Sequence, residues 1–379
     1  MEKPVNIALL SLCNGHVFRG VESFATYFTR YFNKINNSST ILLQGGRLSQ
    51  EDDPDCVKNL DVHTEDLSGD ESFMGKLTTK LGLHKIDFDV KRFYEKAVKT
   101  ISDLDGINFV FPSNQKPLYL KKLFRKYNIN NCIVIGVGHA RVPKDLNQYD
   151  AFVALNPPDF NIIKNARIPV ELIPNGIDFN MFDLVDKEKA DDFKNKIEEQ
   201  YGVMPRPIII IVSALVPPKR VHLGINALKF MNQGTILICG SGPLRNKLRE
   251  HAADIMGNDK LKKVIFIDAM AYENMPFVYR LSDVFLHPAH KGEAFGNVII
   301  EALASGLPVV VNNDSTRAYM VKNYSYLCDV TDSNYVAKKI TKFYNEKDKL
   351  SLISKAIARQ YDWTLITERY HRFLSGINF

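Results

Sequence analysis

Between residues 208 and 311, short apolar runs alternate with longer amphipathic segments, and this alternation restricts the fold more than any other feature of the chain. The runs 208–215, 236–239, 264–267, 284–287 and 309–311 are rich in Ile, Val and Leu and too short to be helices. Each reads as a strand buried on both faces, and the segments between them supply the helical crossovers that parallel strands require. A doubly wound parallel sheet follows. The same rhythm runs through the first half, with strands expected at 5–11, 41–43, 107–111, 132–137 and 151–155 and helices at 22–31, 89–103 and 118–127. Phe24, Tyr27, Phe28 and Tyr31 fall at helical spacing and read as core packing. The chain is therefore α/β, with two Rossmann-like units. A turn at Pro174-Asn175-Gly176, a charged helix at 187–201 and the prolines Pro205 and Pro207 lie between them.

Length and composition agree. The 379 residues suit two to three domains, and 45% hydrophobic content can fill real cores. A net charge of +6 gives no argument for nucleic acid; it suits a soluble enzyme that handles phosphorylated substrates or touches an anionic membrane face. The five cysteines, Cys13, Cys56, Cys132, Cys239 and Cys328, are scattered without metal-ligand spacing, as in a reduced cytoplasmic protein. The N-terminal apolar run contains Asn6 and is followed by no small-residue cleavage site, so no signal peptide is read there. The best apolar run, 208–216, is closed by Pro217 and Pro218 and cannot span a membrane.

Chemistry concentrates in residues 292–308. Asn297 reads as an N-cap, Val298, Ile299, Ile300, Ala302 and Leu303 as an all-round apolar helix, and Gly306 with Pro308 as its end. Glu301 sits inside that helix, where burial is costly unless a partner accepts or neutralises it. Glu293 lies in the loop ahead, and Gly296 lets a ligand approach the amides of Asn297 and Val298 at the helix start. Two carboxylates thus flank an anion-sized cradle. Other candidates lie at strand ends, where α/β sheets bind ligands. Lys219 and Arg220 follow the strand 208–215 and suit a diphosphate; Gly240 and Gly242 form a close-approach turn after 236–239; His139 ends the strand 132–137. Gly20 stands in the loop before the first helix, a weak phosphate-approach pattern by itself.

The spacing from Glu293 to Glu301 resembles the E-x7-E signature of the retaining family-4 glycosyltransferases, and the resemblance covers nearly the whole chain. It implies the GT-B fold, with two Rossmann-like domains facing a cleft and a closing helix that crosses back to the first. On that pattern the domains are 1–180 with 361–379, and 181–360. Pro174-Asn175-Gly176-Ile177-Asp178 would be the crossing, and Tyr361-Asp362-Trp363 would begin the closing helix, burying Trp363, Ile366, Tyr370 and Phe373. The implied co-substrate is a nucleotide sugar, UDP-linked or else GDP-mannose, and the acceptor is a glycan or lipid-linked hydroxyl. Glu301 would hold the ribose, and Lys219, Arg220 and the amides from Gly296 to Val298 the diphosphate. The loop at Met270 would cradle the base, Phe295 would be among the donor-binding residues, and Glu293 and His139 would bracket the transferred sugar. No resident cofactor and no metal is implied. The sequence departs from the family in two places. Arg19 replaces the first glycine of the usual Gly-Gly-x-Glu, leaving Gly20 and Glu22, and Ser213-Ala214-Leu215 replaces the usual Gly-Arg-Leu.

Three D-x-D triplets, at 53–55, 87–89 and 103–105, could hold a metal in the other major glycosyltransferase fold, but none follows an apolar strand as that role demands. The acidic then basic stretch 47–105 reads as a surface excursion, acceptor-shaping or merely solvated. Two further functions compete: a GT-B-type sugar-nucleotide epimerase, and a non-catalytic sugar-nucleotide-binding protein that could dispense with Glu293 and His139.

Overall fold

The computed structural model describes residues 4–14, 20–47, 55–62, 85–113, 116–139, 142–290, 292–293 and 295–377. The chain divides into two units, Met1–Gly176 with Trp363–Phe379, and Ile177–Asp362. The first contains β1 (Val5–Ser11), β2 (Ser38–Gln44), β3 (Val57–Asn59), β4 (Phe109–Pro112), β5 (Ile133–Val137), β6 (Ala151–Ala154) and β7 (Val170–Leu172). Their order is β3-β2-β1-β4-β5-β6-β7, every pair parallel. The second contains β8 (Ile208–Val212), β9 (Gly234–Cys239), β10 (Lys262–Ile267), β11 (Val284–His287), β12 (Val309–Asn312) and β13 (Leu327–Cys328), in the order β10-β9-β8-β11-β12-β13, again all parallel. Among the described residues no helix is long and apolar enough to cross a membrane.

In the first unit Phe24, Tyr27 and Phe28 of the aromatic stripe are core, whereas Tyr31 is only half-buried, with Lys34 over its ring. Phe24, Phe28 and Phe32 of the helix Gly20–Phe32 stack in succession, with centroids 5.2 and 5.0 Å apart. The closing helix Trp363–Ser375 packs on them: Tyr370 meets Phe28 edge-on at 5.0 Å, and Trp363 meets Phe24 at 5.6 Å. Its buried face is Trp363, Ile366, Thr367, Tyr370 and Leu374; Phe373 is only half-buried, because its position lies one residue round from that stripe. Gly176 is required at the crossing, since a Cβ there would lie 2.3 Å from the Trp363 indole Cδ2.

The stretch 47–105 is more integrated than a surface excursion. Val57–Asn59 is an edge strand paired with β2, and the helix Lys85–Ser102 buries Val90, Phe93, Tyr94, Ala97 and Val98 in the core of the first unit. Residues 48–54 and 63–84, including Asp53 and Pro54, lie outside the described residues. Near the end of the second unit lie two helices, Ser333–Asn345 and Lys347–Ala358, followed by a short turn at Arg359–Tyr361.

Candidate active site

The second sheet changes winding direction between β8 and β11, which are neighbours in the sheet, so the loops leaving their carboxyl ends lie side by side. This is why residues 74 positions apart, Lys219 and Glu293, come together. The β8 loop turns through Pro217–Lys219 and places Arg220 in the left-handed region, φ 48°. Arg220 then latches the two loops: its Nε donates to Pro288 O at 2.9 Å and its Nη2 to Ala289 O at 3.0 Å. From the other side, His290 N–H donates to Pro218 O at 2.9 Å. The β9 loop crosses directly over the β8 loop, with Leu215 N–H donating to Ser241 O at 2.8 Å. Gly240, at φ 148°, is obligatory in that crossing, because a Cβ would sit 2.0 Å from Ser213 O. Its close approach is to this backbone.

Glu293 is the centre of the site. One carboxylate oxygen, Oε1, pairs with Lys219 Nζ. The other, Oε2, accepts from Arg317 Nη2 at 3.0 Å and lies 3.0 Å from His287 Nε2, within ion-pair range though the ring nitrogen is not aligned for a hydrogen bond. Burial alone would raise the pKa of this carboxyl, but the nearby His287 and Lys219 more than offset it and hold the group well below the usual carboxylate range. It is a carboxylate at any ordinary pH.

Glu301 lies in a different environment. It sits within the helix Asn297–Ala304, 6% exposed, and among the described residues no cation pairs with it. Its partner is Tyr279 of the helix Met275–Leu281, whose hydroxyl donates to Oε2 at 2.8 Å. Desolvation pushes its pKa up to about 7, with the tyrosine hydrogen bond acting the other way. The folded state therefore binds this proton more tightly than the unfolded chain does. Stability should fall as pH rises from the usual carboxylate value toward about 7, and stay lowered above it. Between pH 5 and pH 8 the loss should be on the order of 2 kcal/mol, and Glu301→Gln should remove most of that slope in urea titrations. An unchanged slope in the variant would assign the titration to another group.

The helix carrying Glu301 begins differently from the sequence expectation. Its N-cap is Gly296, at φ 95°, and Asn297 is the first helical residue, because only glycine adopts that left-handed geometry without strain. In that first turn the Ile299 N–H donates to Gly296 O at 2.9 Å. Gly306 takes the left-handed position at the far end, φ 80°. Phe295 is buried with its ring edge-on to Tyr361 at 6.1 Å, so it packs the loop down. Met270 is half-exposed in the turn after β10, where Asp268 pairs with Arg245 at 2.8 Å. Gly242, at φ 153°, packs on Leu215.

The second unit thus brings together Lys219, Arg220, Glu293 and the start of the helix bearing Glu301. His139 and Gly20 belong to the first unit. His139 lies at the carboxyl end of β5, its ring edge-on to Phe24 at 4.7 Å, and burial lowers its pKa to about 4, so it is neutral at physiological pH. Gly20 is exposed at the first position of its helix; residues 15–19 and the Arg19 substitution lie outside the described residues. Of the D-x-D triplets, Asp103 and Asp105 are exposed in the turn after a helix, and among the described residues no group of three or more His, Cys, Asp or Glu side chains could hold a metal.

Three contributors were not singled out from the sequence: Arg317, His287 and Tyr279. Arg317 carried the clearest signal, standing three residues after the capping Asp314. His287 is a lone imidazole at the end of an apolar strand, and Tyr279 resembles any core tyrosine.

Residues 192–360 match the family model described as glycosyl transferases group 1. The GDP-mannose-dependent alpha-(1-6)-phosphatidylinositol monomannoside mannosyltransferase of Mycobacterium tuberculosis is 25% identical over 223 residues, 55% of this chain and 56% of its own length. The capsular polysaccharide biosynthesis glycosyltransferase CapM of Staphylococcus aureus is 27% identical over 216 residues, 53% of each chain. The chain thus spans a little over half the length of these curated relatives. Among solved structures, Anabaena HepE in complex with UDP and glucose superposes with a TM-score of 0.70 at 17% identity, covering 98% of this chain and all of that one. Sucrose-phosphate synthase from Thermosynechococcus elongatus gives 0.70 at 16%, covering 97% and 98%. These likenesses agree with two Rossmann-like parallel-sheet units, the GT-B fold class. Over residues 192–360 the chain is thus similar to the glycosyl transferases group 1 family.

Proposed function

We propose that the protein is a retaining glycosyltransferase that moves a sugar from a nucleotide-sugar donor to a hydroxyl of a glycan or lipid-linked acceptor. The observation that carries this reading is the convergence of Lys219, Arg317 and His287 on Glu293 at the switch point of the second sheet. Such a cluster offers a cation to an anionic leaving group and a permanently ionised carboxylate beside it. Relatives with GDP-mannose dependence and a neighbour crystallised with UDP support a nucleoside-diphosphate donor; we favour a UDP-sugar, with GDP-mannose next.

In this reading Lys219 and the amides after Gly296 hold the diphosphate, Glu301 the ribose hydroxyls, and the turn at Met270 the base. Glu293 accepts from the sugar hydroxyls, and neutral His139 of the first unit offers a hydrogen bond to substrate. No side chain is assigned as nucleophile. The anomeric carbon–oxygen bond to the diphosphate breaks and the acceptor oxygen bonds on the same face. The acceptor proton passes to the departing phosphate oxygen. Stabilising that departing charge is the main catalytic task.

A thermal-shift panel of UDP, GDP and dTDP sugars tests the reading. A donor at about 100 times its Kd adds about 2.7 kcal/mol, enough for several degrees. Transfer with the stabilising donor, and retention at the anomeric centre by NMR of the product, should follow. A panel with no response and no transfer would overturn the assignment. Since cationic side chains and amides are assigned to the diphosphate, transfer should persist in EDTA after exhaustive dialysis. Complete loss with recovery on adding Mn²⁺ would return the D-x-D triplets to consideration.

A further inference from the structure

The partners of Glu293 do not hold it alike. Arg317, on the helix Ser315–Val321, is 0% exposed and grips residue 293 twice. Its Nη2 donates to Oε2 at 3.0 Å and its Nη1 to the main-chain carbonyl at 3.4 Å. Nη1 also lies 3.5 Å from Asp314 Oδ1, and the same carboxylate caps the helix by accepting from the Arg317 N–H at 3.1 Å. The guanidinium is therefore anchored at its own helix start while it fixes both the backbone and one carboxylate oxygen of Glu293. His287, 2% exposed, flanks the same oxygen. Lys219 alone takes Oε1, and it is a flexible ammonium with its side chain 25% exposed on a single turn.

We propose that Arg317 is a positioning residue that keeps Glu293 in place while Lys219 exchanges partners. An anionic diphosphate takes the Lys219 ammonium, and Oε1 of Glu293 is released to accept from a hydroxyl of the attached sugar. The sugar contact rests on the functional reading above; the exchange itself requires only a diphosphate.

The physical case has two parts. A diphosphate carries more negative charge than one carboxylate, so it outcompetes Glu293 for a cation that reaches solvent. Losing a partner ordinarily strands a buried carboxylate, at a large cost. Here the stranded charge keeps Arg317 on Oε2 and His287 beside it, so the carboxylate stays ionised and aimed while one oxygen becomes free. The asymmetry between a bidentate, buried guanidinium and a single, mobile ammonium is what makes one contact permanent and the other exchangeable.

Titration with inorganic pyrophosphate tests the exchange without reference to base, sugar or turnover. Glu293→Gln removes the competing charge, so its affinity for pyrophosphate should exceed wild type by about tenfold, the size of one charge-assisted contact. Lys219→Met should weaken it. Equal or weaker binding by Glu293→Gln, or no pyrophosphate binding by the wild type, overturns the proposal. Arg317→Lys keeps the charge but cannot make both contacts, and Arg317→Gln removes the charge. In transfer assays either variant should lower kcat by about tenfold or more with donor KM changed by less than about threefold, since orientation matters most at the reacting sugar. A variant that folds and keeps wild-type kcat overturns the positioning role, as does failure of both to fold. Should no nucleotide sugar support transfer, the functional reading fails while the pyrophosphate titration still judges the exchange.

Discussion

Lys219→Ala should lower kcat by on the order of 10²–10³, the loss seen when one preorganised electrostatic donor is removed, with a much smaller change in donor KM. The leaving diphosphate carries more charge on its bridging oxygen in the transition state than in the bound donor. A cation placed there contributes more to turnover than to ground-state affinity. The structure makes this variant informative, because catalysis and folding separate in it. The Lys219–Glu293 pair is partly solvated, at 25% and 19% exposure, so its loss should cost about 0–1 kcal/mol of stability. Glu293 keeps Arg317 and His287. Melting temperature should scarcely move while turnover collapses. Glu301→Ala offers the contrast: it removes a ribose contact distant from the breaking bond and should act mainly on donor KM. If Lys219→Ala raised KM alone, Lys219 would be only an anchor. Arg220 would be a poor successor, since its Nε and Nη2 already serve Pro288 and Ala289; the amides after Gly296 would then inherit the role.

What the sequence revealed of this molecule followed from local rules. Apolar runs such as Ile208–Val212 are legible because a strand covered on both faces has no polar positions to blur the pattern. Gly306 is legible because a helix end needs a left-handed residue. Gly296 was read as a point of ligand approach, and it is also the left-handed N-cap of its helix, which the sequence assigned to Asn297. The candidate site was half visible. Lys219, Glu293 and Glu301 stand out because charge in a strand-end loop or an apolar helix demands a reason. Their partners did not, because pairing across 24 residues in Arg317–Glu293 or 22 in Tyr279–Glu301 is a product of sheet order, not of spacing. Arg220 was read as a phosphate ligand from its charge, and only the folded β11 loop reveals the two carbonyl oxygens that take its Nε and Nη2. Gly240 also acquired a different meaning, as a crossing of two loops that no single segment encodes.

Ending the chain after Asp362 should unfold the first unit. The cut leaves Tyr361 in place, which belongs to the second unit: its hydroxyl donates to Met320 O at 3.0 Å, and its carbonyl accepts from Ile177 N–H at 2.8 Å. What is lost is the face formed by Trp363, Ile366, Tyr370 and Leu374, each no more than 2% exposed. At about 1.5–3 kcal/mol for each large apolar side chain, the four together contribute on the order of 6–12 kcal/mol. That rivals the whole stability of a typical domain, about 5–15 kcal/mol. The removal also uncovers Phe24 and Phe28, whose rings meet Trp363 and Tyr370, and leaves a bare patch above Gly176. The truncated protein should bind hydrophobic dye and aggregate. Because Trp363 is the chain's only tryptophan, the full-length protein carries its own probe: indole fluorescence during denaturation reports the first unit alone. Trp363→Phe should keep the fold nearly intact, whereas Trp363→Ala should cost about 3–5 kcal/mol in that unit. A soluble truncated protein with an unchanged melting profile would show that the closing helix is peripheral to the first core, and that Phe24 and Phe28 find other cover.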